Sequence, residues 1–335
     1  MGFASIFLKN LVDFHGAFCY TDAMRIPFFD KRYYGLDKGS SGIKIAEITE
    51  ARGRLAVTRL MKLSLPVEDL PLRPDLTPPA IVERLRVFCR GQGITGRSVA
   101  VNLSGAFVAS RLFNLPVMSH AELQAYIQDH AQEYLPAGVS KDAVEFDFQI
   151  LKEEVQTGAE MAQINLAAGR KEAVADVLAM TLGAGLYPSC VDASSLSLVN
   201  MFSLHPAFVP GRVSAIMDIG HSVTKTLVVR DGQVAFAYEL AAGGDTVNRK
   251  LQEAFDLDYG AAEELKLLFS ADHEADQAGT VAVAGREFPR ESVRQAVREA
   301  CASMADEIGR MQQLWKGGRP WQHVVITGGG AKTPG

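Results

Sequence analysis

Asp37, Gly39, Ser40, Ser41 and Lys44 lie in the stretch Leu36 to Lys44, and Asp218, Gly220, Ser222, Thr224 and Lys225 lie in Met217 to Lys225. Aligned, the two stretches share the pattern Asp-x-Gly-x-Ser-x-x-Lys. The chemistry of that set is phosphate binding. Glycine beside serine lets consecutive backbone N–H groups converge on one concavity, which holds an anion without side-chain charge. An aspartate ending the preceding strand is repelled by phosphate but can hold Mg2+ through water, because Mg2+ keeps most of its hydration shell. A single Asp-x-Gly-x-Ser reads as an ordinary hairpin turn. Two copies in matching contexts point to two turns serving one phosphate chain.

The flanks of the two turns repeat as well. Each copy follows an apolar stretch and precedes a β-rich run, Ile43 to Glu47 or Thr226 to Val229. Each run then meets a turn signal, Arg52-Gly53 or Asp231-Gly232, and a second apolar run. Asp-Gly between such runs is a hairpin signal. The unit is therefore strand, Gly-rich turn, strand, turn, strand, present twice. Two lobes of related fold are expected, each with a mixed five-stranded sheet, facing each other across a cleft that contains Gly39, Gly220 and Gly329.

Length and composition agree with two lobes. At 335 residues the chain exceeds what one core usually serves. It is 47% hydrophobic and 22% charged, as folded globular proteins are. A net charge of −5 argues against a general nucleic-acid binder. Cys19, Cys89, Cys190 and Cys301 form no Cys-x-x-Cys pair, which disfavours zinc and a redox dithiol and favours reduced, buried thiols. The most apolar region, Ala173 to Tyr187, is interrupted by Asp176 and two glycines and is no membrane span. Met1 to Phe14 carries Phe3, Phe7, Leu11 and Phe14 at helical spacing. With Lys9 its only basic residue, it makes a poor secretory signal or membrane anchor, and Ile6 breaks the myristoylation pattern. A short helix docked on the body or on a partner is the expectation.

Between the repeats, Thr77 is expected to N-cap a helix with Pro78 at its first position and Ile81, Leu85 and Phe88 on its apolar stripe. Val99 to Leu103 reads as a strand. From about Gly105 to Ala167 the character changes to a small α+β insert. There Ser119 and Glu122 form a capping box, Leu123, Tyr126 and Ile127 mark a helix face, and Val144 to Leu151 alternates as a half-buried strand. Lys171 to Leu182 is a helix ended by Gly183 and Gly185. Beyond the second unit, Gly243 and Gly244 precede Asp245, which is placed to cap a helix and to make its N-terminus favour an anion. Glu263 and Lys266 sit on adjacent turns of the next helix, a spacing typical of a surface ion pair. Val293 to Met311 is a long amphipathic helix, and Val324 to Thr327 is a strand entering Gly328, Gly329 and Gly330, three glycines that let backbone lie against a ring or sugar.

The ordered set of two Asp-x-Gly-x-Ser turns, Gly-Gly-Asp, Ala-Glu-x-Leu-Lys and Gly-Gly-Gly-Ala resembles the actin-like ATPase superfamily and, within it, the PilM family of type IV pilus assembly. Tyr34 to Ser41 is similar to that family's opening motif. Arg111 to Met118, Glu133 to Pro136 and the Phe146-Asp147 strand are similar to its inserted subdomain. The resemblance implies an α/β fold, a two-lobed actin-like ATPase (ribonuclease H-like) fold with a small α+β insert in the first lobe. It implies an N-terminal extension at 1–32, a first-lobe core at 33–104 and 168–210, and the insert at 105–167. The second-lobe core would be 211–242 with 322–335, its subdomain 243–321, and the C-terminal end appears cut short.

By the same resemblance, Asp37 and Asp218 organise Mg2+ through its waters. Gly39, Ser40, Ser41 and Lys44 contact the phosphates of ATP from one lobe, and Gly220, Ser222 and Thr224 from the other. Gly243 and Gly244 lie near phosphate or ribose, Glu263 and Lys266 face ribose and purine, and Gly328, Gly329 and Gly330 form the adenosine platform. The sequence departs from the pattern at Lys38, where an apolar residue is usual, and at His221 and Lys225. No general base can be named, so ATP binding is expected, with ATPase activity weak or absent. The implied role is a cytoplasmic scaffold, peripheral to the inner membrane, in pilus biogenesis and twitching motility. Its implied partners are the N-terminal peptide of PilN, in a groove between first lobe and insert, other inner-membrane and motor components, and further copies of itself. The rivals are an FtsA-like cell-division protein that polymerises at the membrane and a metabolic kinase of the same fold. For the kinase Asp192 is the one available base, and it reads equally well as a helix cap before Ser194.

Overall fold

The computed structural model describes residues 31–70, 76–103, 108–156, 159–205, 208–230, 232–271, 279–315 and 320–333. The expected helix at Met1 to Phe14, Cys19, Gly105, Asp231 and Gly335 lie outside them.

The repeated unit is present twice. In the first copy β1 (Lys31–Gly39) turns into β2 (Gly42–Ala51), which pairs antiparallel with β3 (Arg54–Ser64). Arg52 and Gly53 both take positive φ, 51° and 73°, the combination a two-residue hairpin turn of matching twist requires. In the second copy β9 (Val213–Ile219) turns into β10 (Thr224–Arg230), which pairs with β11 (Gln233–Leu240). Both hairpins carry an irregularity late in the ladder, between Glu47 and Ile48 and between Val228 and Val229.

The first copy grows into a five-stranded mixed sheet, as expected, with order β3-β2-β1-β4-β8. Here β4 is Ser98–Leu103 and β8 is Tyr187–Ala193, each parallel to its neighbour. Helices α1 (Pro79–Gly91) and α3 (Lys171–Gly183) pack against each other, and α3 packs on β4 and β8. Ile43, Ile45, Ile81, Leu85, Val99, Val101, Val174 and Val177 are buried, which accounts for the apolar runs of these elements. Among the described residues the second copy grows to four strands, not five, in the order β11-β10-β9-β14. Here β14 (His323–Thr327) runs parallel to β9.

The insert is a three-stranded antiparallel sheet of order β5-β7-β6, with β5 at Val108–Pro116, β6 at Val144–Gln156 and β7 at Ala159–Arg170. Helix α2 (His120–Tyr134) carries the expected capping box, and its Leu123 and Ile127 pack with Leu115, Ile164 and Leu166. Strand β6 is longer than the expected half-buried run, and β7 was not anticipated. Its alanine-rich sequence has helical propensity, which central pairing between two strands overrides. Arg170 ends β7 and is also the N-cap of α3, so the insert's central strand enters α3 without a loop.

After α4 (Ser194–Ser203) and the second sheet come α5 (Gly244–Phe255), α6 (Tyr259–Ala271), the hairpin of β12 (Thr280–Val283) with β13 (Arg286–Pro289), and the long α7 (Arg290–Leu314). They share a core of Val247, Leu251, Leu265, Phe269, Phe288, Val293 and Val297. By contact density the described residues form two compact units. One holds residues up to Lys38, Gly42–Ser64 and 76–197; the other holds Gly39–Ser41, 65–70 and 198–333.

Three local expectations are corrected. Thr77 does not cap α1: its N–H and hydroxyl both go to Asp176, and α1 begins after Pro78. Asp245 does not cap α5. Gly243 is the cap residue, Thr246 Oγ1 accepts its N–H, and the Asp245 carboxylate faces other partners. Glu263 and Lys266 are no surface pair, since their side chains are only 17% and 7% exposed.

Candidate functional site

The first turn leaves β1 at Asp37, Lys38 and Gly39. Asn102, near the end of β4, spans the entry: its Nδ2 donates to Asp37 Oδ1 at 2.6 Å and its Oδ1 accepts the N–H of Lys38 at 3.1 Å. Lys44 Nζ stands 3.4 Å from Asp37 Oδ2. The Ser41 carbonyl accepts the N–H of Leu65. Ser40 and Ser41 lie at the turn itself, half-buried.

Lys38 points inward. Its Nζ is 2.7 Å from Asp176 Oδ2 on α3, and the two side chains are 6% and 15% exposed. Asp176 also accepts Thr77 N–H at 2.8 Å and Thr77 Oγ1 at 2.6 Å. Burial pushes the Asp176 carboxyl up, but the hydrogen bonds from Lys38 and Thr77 and the lysine charge outweigh it and hold it below its usual value. This network explains the departure at Lys38 that the sequence displayed. It also explains the charge at Asp176 in the most apolar stretch.

The second turn is closed by Gly220 N–H donating to the Val223 carbonyl. Asp218 stands directly opposite Lys225 across the β9–β10 ladder and beside Thr327 of β14. The amides of His221, Ser222 and Val223 donate to no carbonyl among the described residues, and Ser222 Oγ is buried without a partner there. A run of free amides beside an orphaned buried hydroxyl is a donor set that an anion satisfies. Thr224 differs: it is buried, and its hydroxyl donates to the Ala242 carbonyl.

The start of α5 braces this turn. Gly244 N–H donates to the Gly220 carbonyl and Asp245 N–H to the His221 carbonyl. A Cβ on Gly243 would come within 2.6 Å of one carbonyl and 2.7 Å of the other, so only glycine allows the approach. The amides expected to attract an anion at this helix N-terminus are thus spent on the turn. Just after β14, Gly328 (φ 93°) and Gly330 similarly abut the Ile219–Gly220 backbone, while Gly329 has open space at its Cβ position.

A polar network continues below. His221 Nε2 and Tyr259 OH are 2.7 Å apart, Tyr259 OH donates to Asp245 Oδ1 at 2.8 Å, and Arg249 pairs with Asp245 Oδ2 at 2.6 Å. Because the tyrosine proton goes to the carboxylate, Nε2 carries the imidazole proton and donates to the tyrosine oxygen. Burial, with the nearby Lys266 charge, lowers the His221 pKa. Lys266 Nζ reaches Glu263 Oε2 at 2.6 Å and the Gly244 carbonyl at 3.3 Å, and Asn248 donates to the same carboxylate at 2.5 Å. Burial raises the Glu263 pKa, but these hydrogen bonds and charges turn the net shift downward. Asp192, on β8 opposite Asn102, accepts Ser197 Oγ at 2.7 Å, and burial raises its pKa.

Asn102, Asp176, Asn248 and Tyr259 were not singled out from sequence as site residues. Asn102 had one legible signal, a polar side chain within an apolar strand. Asp176 had another, an unexplained acid matching an unexplained base at Lys38. Among the described residues no cluster of metal-binding side chains stands ready, and no helix is long and apolar enough to cross a membrane. Cys89 is buried, whereas Cys190 and Cys301 are only partly so.

The model of the family described as type IV pilus assembly protein PilM matches residues 35–335. The chain belongs to the PilM family. A solved PilM–PilN type IV pilus biogenesis complex matches this PilM-family chain at 25% identity and a TM-score of 0.72, over 90% of this chain and 82% of that one. The ethanolamine utilization protein EutJ from Carboxydothermus hydrogenoformans matches at 14% identity and a TM-score of 0.51, over 91% of this chain and 79% of that one, a likeness of fold alone. The fold is the α/β actin-like ATPase fold that the resemblance implied. The chain is an actin-like protein of type IV pilus assembly.

Proposed function

We propose that this PilM-family protein is a Mg-ATP-binding scaffold that docks the N-terminal cytoplasmic peptide of PilN and links the inner-membrane pilus complex to the cytoplasmic motor. The observation that carries the nucleotide half is the second turn, where among the described residues the amides of His221 to Val223 donate to no carbonyl and the buried Ser222 hydroxyl has no partner. Asp37 and Asp218 hold the waters of Mg2+, and the metal neutralises phosphate charge when bound. Gly39, Ser40, Ser41, Lys44, Gly220 and Ser222 take phosphate. Thr224, Gly243, Gly328 and Gly330 serve by shaping the turn rather than by contact. Gly329, open on its Cβ side, faces the nucleoside, and Glu263 and Lys266 hold the base of the site.

The partner half rests on the insert. Among the described residues β6 pairs on one side only, with β7, so its other edge offers unpaired backbone. An extended peptide gains main-chain hydrogen bonds at such an edge, and side-chain pockets set its register. Phe146, Phe148 and Ile150 pack toward α2, which leaves the edge rather than the apolar face for the peptide.

The test is calorimetry of the full chain with Mg-ATP and, separately, with the N-terminal peptide of a co-encoded PilN, followed by hydrogen exchange. Peptide binding should slow exchange at residues 144–151. Absence of peptide binding, or binding that leaves those amides unchanged, overturns the docking assignment.

A further inference from the structure

The Lys38–Asp176–Thr77 network is the costliest feature that phosphate binding leaves unexplained. Removing two charges from water seldom repays its cost, and an apolar pair of equal volume is usually as stable or more so. Its position gives it a use. Lys38 immediately precedes the first turn, and its amide is pinned by Asn102, which also holds Asp37. Its ammonium is held 2.7 Å from Asp176. Asp176 rides on α3, and α3 continues without a loop from β7, the central strand of the insert. The far side of the same carboxylate holds Thr77, just before α1. The turn and the insert thus share one short path: Asp37 and Gly39, Lys38, Asp176, the body of α3, β7.

We propose that the Lys38–Asp176 pair is a coupling latch that transmits occupancy of the first turn to the insert sheet, and occupancy of the insert back to the turn. The inference rests on the nucleotide reading above. A ligand that draws Gly39 to Ser41 around its phosphate moves the Lys38 backbone. A charge-paired side chain in a close-packed interior passes that movement to Asp176, where an apolar residue could slide. α3 is a rigid 13-residue helix, so displacement at Asp176 reaches Arg170 and the β7 ladder with β5 and β6. Coupling of this kind is reciprocal in binding free energy.

The experiment compares the wild-type chain with Lys38→Met/Asp176→Asn. The double substitution removes both charges yet leaves an oxygen to accept Thr77 N–H and an amide to meet its hydroxyl. Calorimetry first measures Mg-ATP binding to each protein. Hydrogen exchange then reads residues 144–170 with and without saturating Mg-ATP. Saturated wild type should exchange in that segment more slowly by about fivefold or more, the lower end of ordinary coupling. The double variant should bind Mg-ATP and show no such change. Wild type that binds Mg-ATP without altered exchange in the insert overturns the latch and leaves the nucleotide reading intact. An unchanged response in the double variant also overturns it. If neither protein binds Mg-ATP, the nucleotide reading fails and the latch fails with it. Lys38→Arg, which keeps the charge, should retain the response if it folds, so loss of response there counts against a charge-pair mechanism.

Discussion

Asn102 Nδ2 donates to Asp37 Oδ1 at 2.6 Å, and this places a β4 residue in command of the carboxylate that β1 carries to the first turn. One Asp37 oxygen is thereby fixed, and the other faces Lys44. Replacing Asp37 or Asp218 with alanine should weaken Mg-ATP binding by about 1–3 kcal/mol each, the worth of a charge-assisted hydrogen bond. Asn102→Leu should lose a smaller part of that, since the carboxylate remains and only its orientation is freed. Calorimetric titration measures all three, and affinity unchanged by both aspartate substitutions would refute the site.

Lys38→Met alone should destabilise the fold by about 3–5 kcal/mol, because Asp176 keeps its hydrogen bonds from Thr77 but loses its counter-charge. Adding Asp176→Asn should recover much of the loss. Urea denaturation of single and double variants checks the order. A double variant no more stable than the single would contradict the ion-pair account.

Acid should unfold the protein in two stages. The His221 pKa is lowered in the fold from an ordinary 6.5, so the unfolded chain binds the proton more readily. Its contribution is complete above that value and is lost as pH falls toward the folded pKa. Asp176 is likewise lowered from 3.8, and its contribution fades only as pH drops below that point. His221→Asn should remove the fall in stability that begins as pH drops below the ordinary histidine value and leave the lower stage in place. Thermal melts across pH 3–8 follow both stages.

Adjacent glycines should respond unequally. Alanine at Gly328 meets the Ile219 carbonyl and sits 2.6 Å from Asp218 Oδ1, at a φ of 93° that L-residues resist. It should cost more than about 2 kcal/mol and disturb Mg-ATP binding. Alanine at Gly329 meets nothing within 4 Å and has φ −67°. It should be near neutral for stability, so equal losses at the two positions would reject the packing described for the glycines after β14.

Tyr259→Phe should release His221 from Asp245 at a cost of about 0.5–1.5 kcal/mol, one hydrogen bond's net worth. Nuclear magnetic resonance of the His221 ring should then show a changed tautomer balance. An unaltered imidazole spectrum would show that the tyrosine does not set the proton's position.

The repeat was legible because it is local. Asp-x-Gly-x-Ser followed by a β-rich run specifies a strand, a tight turn and a hairpin through φ/ψ limits and pairing period, and both copies fold so. The capping box at Ser119 and the long stripe from Val293 were legible for the same reason. Strand β7 was not, because alanine-rich sequence becomes strand only when two neighbours supply its hydrogen bonds. Nor was the burial of Glu263 and Lys266: their spacing is that of a solvated pair, and only packing of α6 beside the α5 N-terminus removes the water. Thr77 reads as a cap from its neighbours alone, yet an acid 99 positions away outbids the helix for its donors. Sequence by itself determined the two turns and their hairpins, since backbone sterics act over a few residues. Tertiary structure decided which polar groups were spent on the fold and which, among the described residues, were not, since desolvation depends on what the rest of the chain brings alongside.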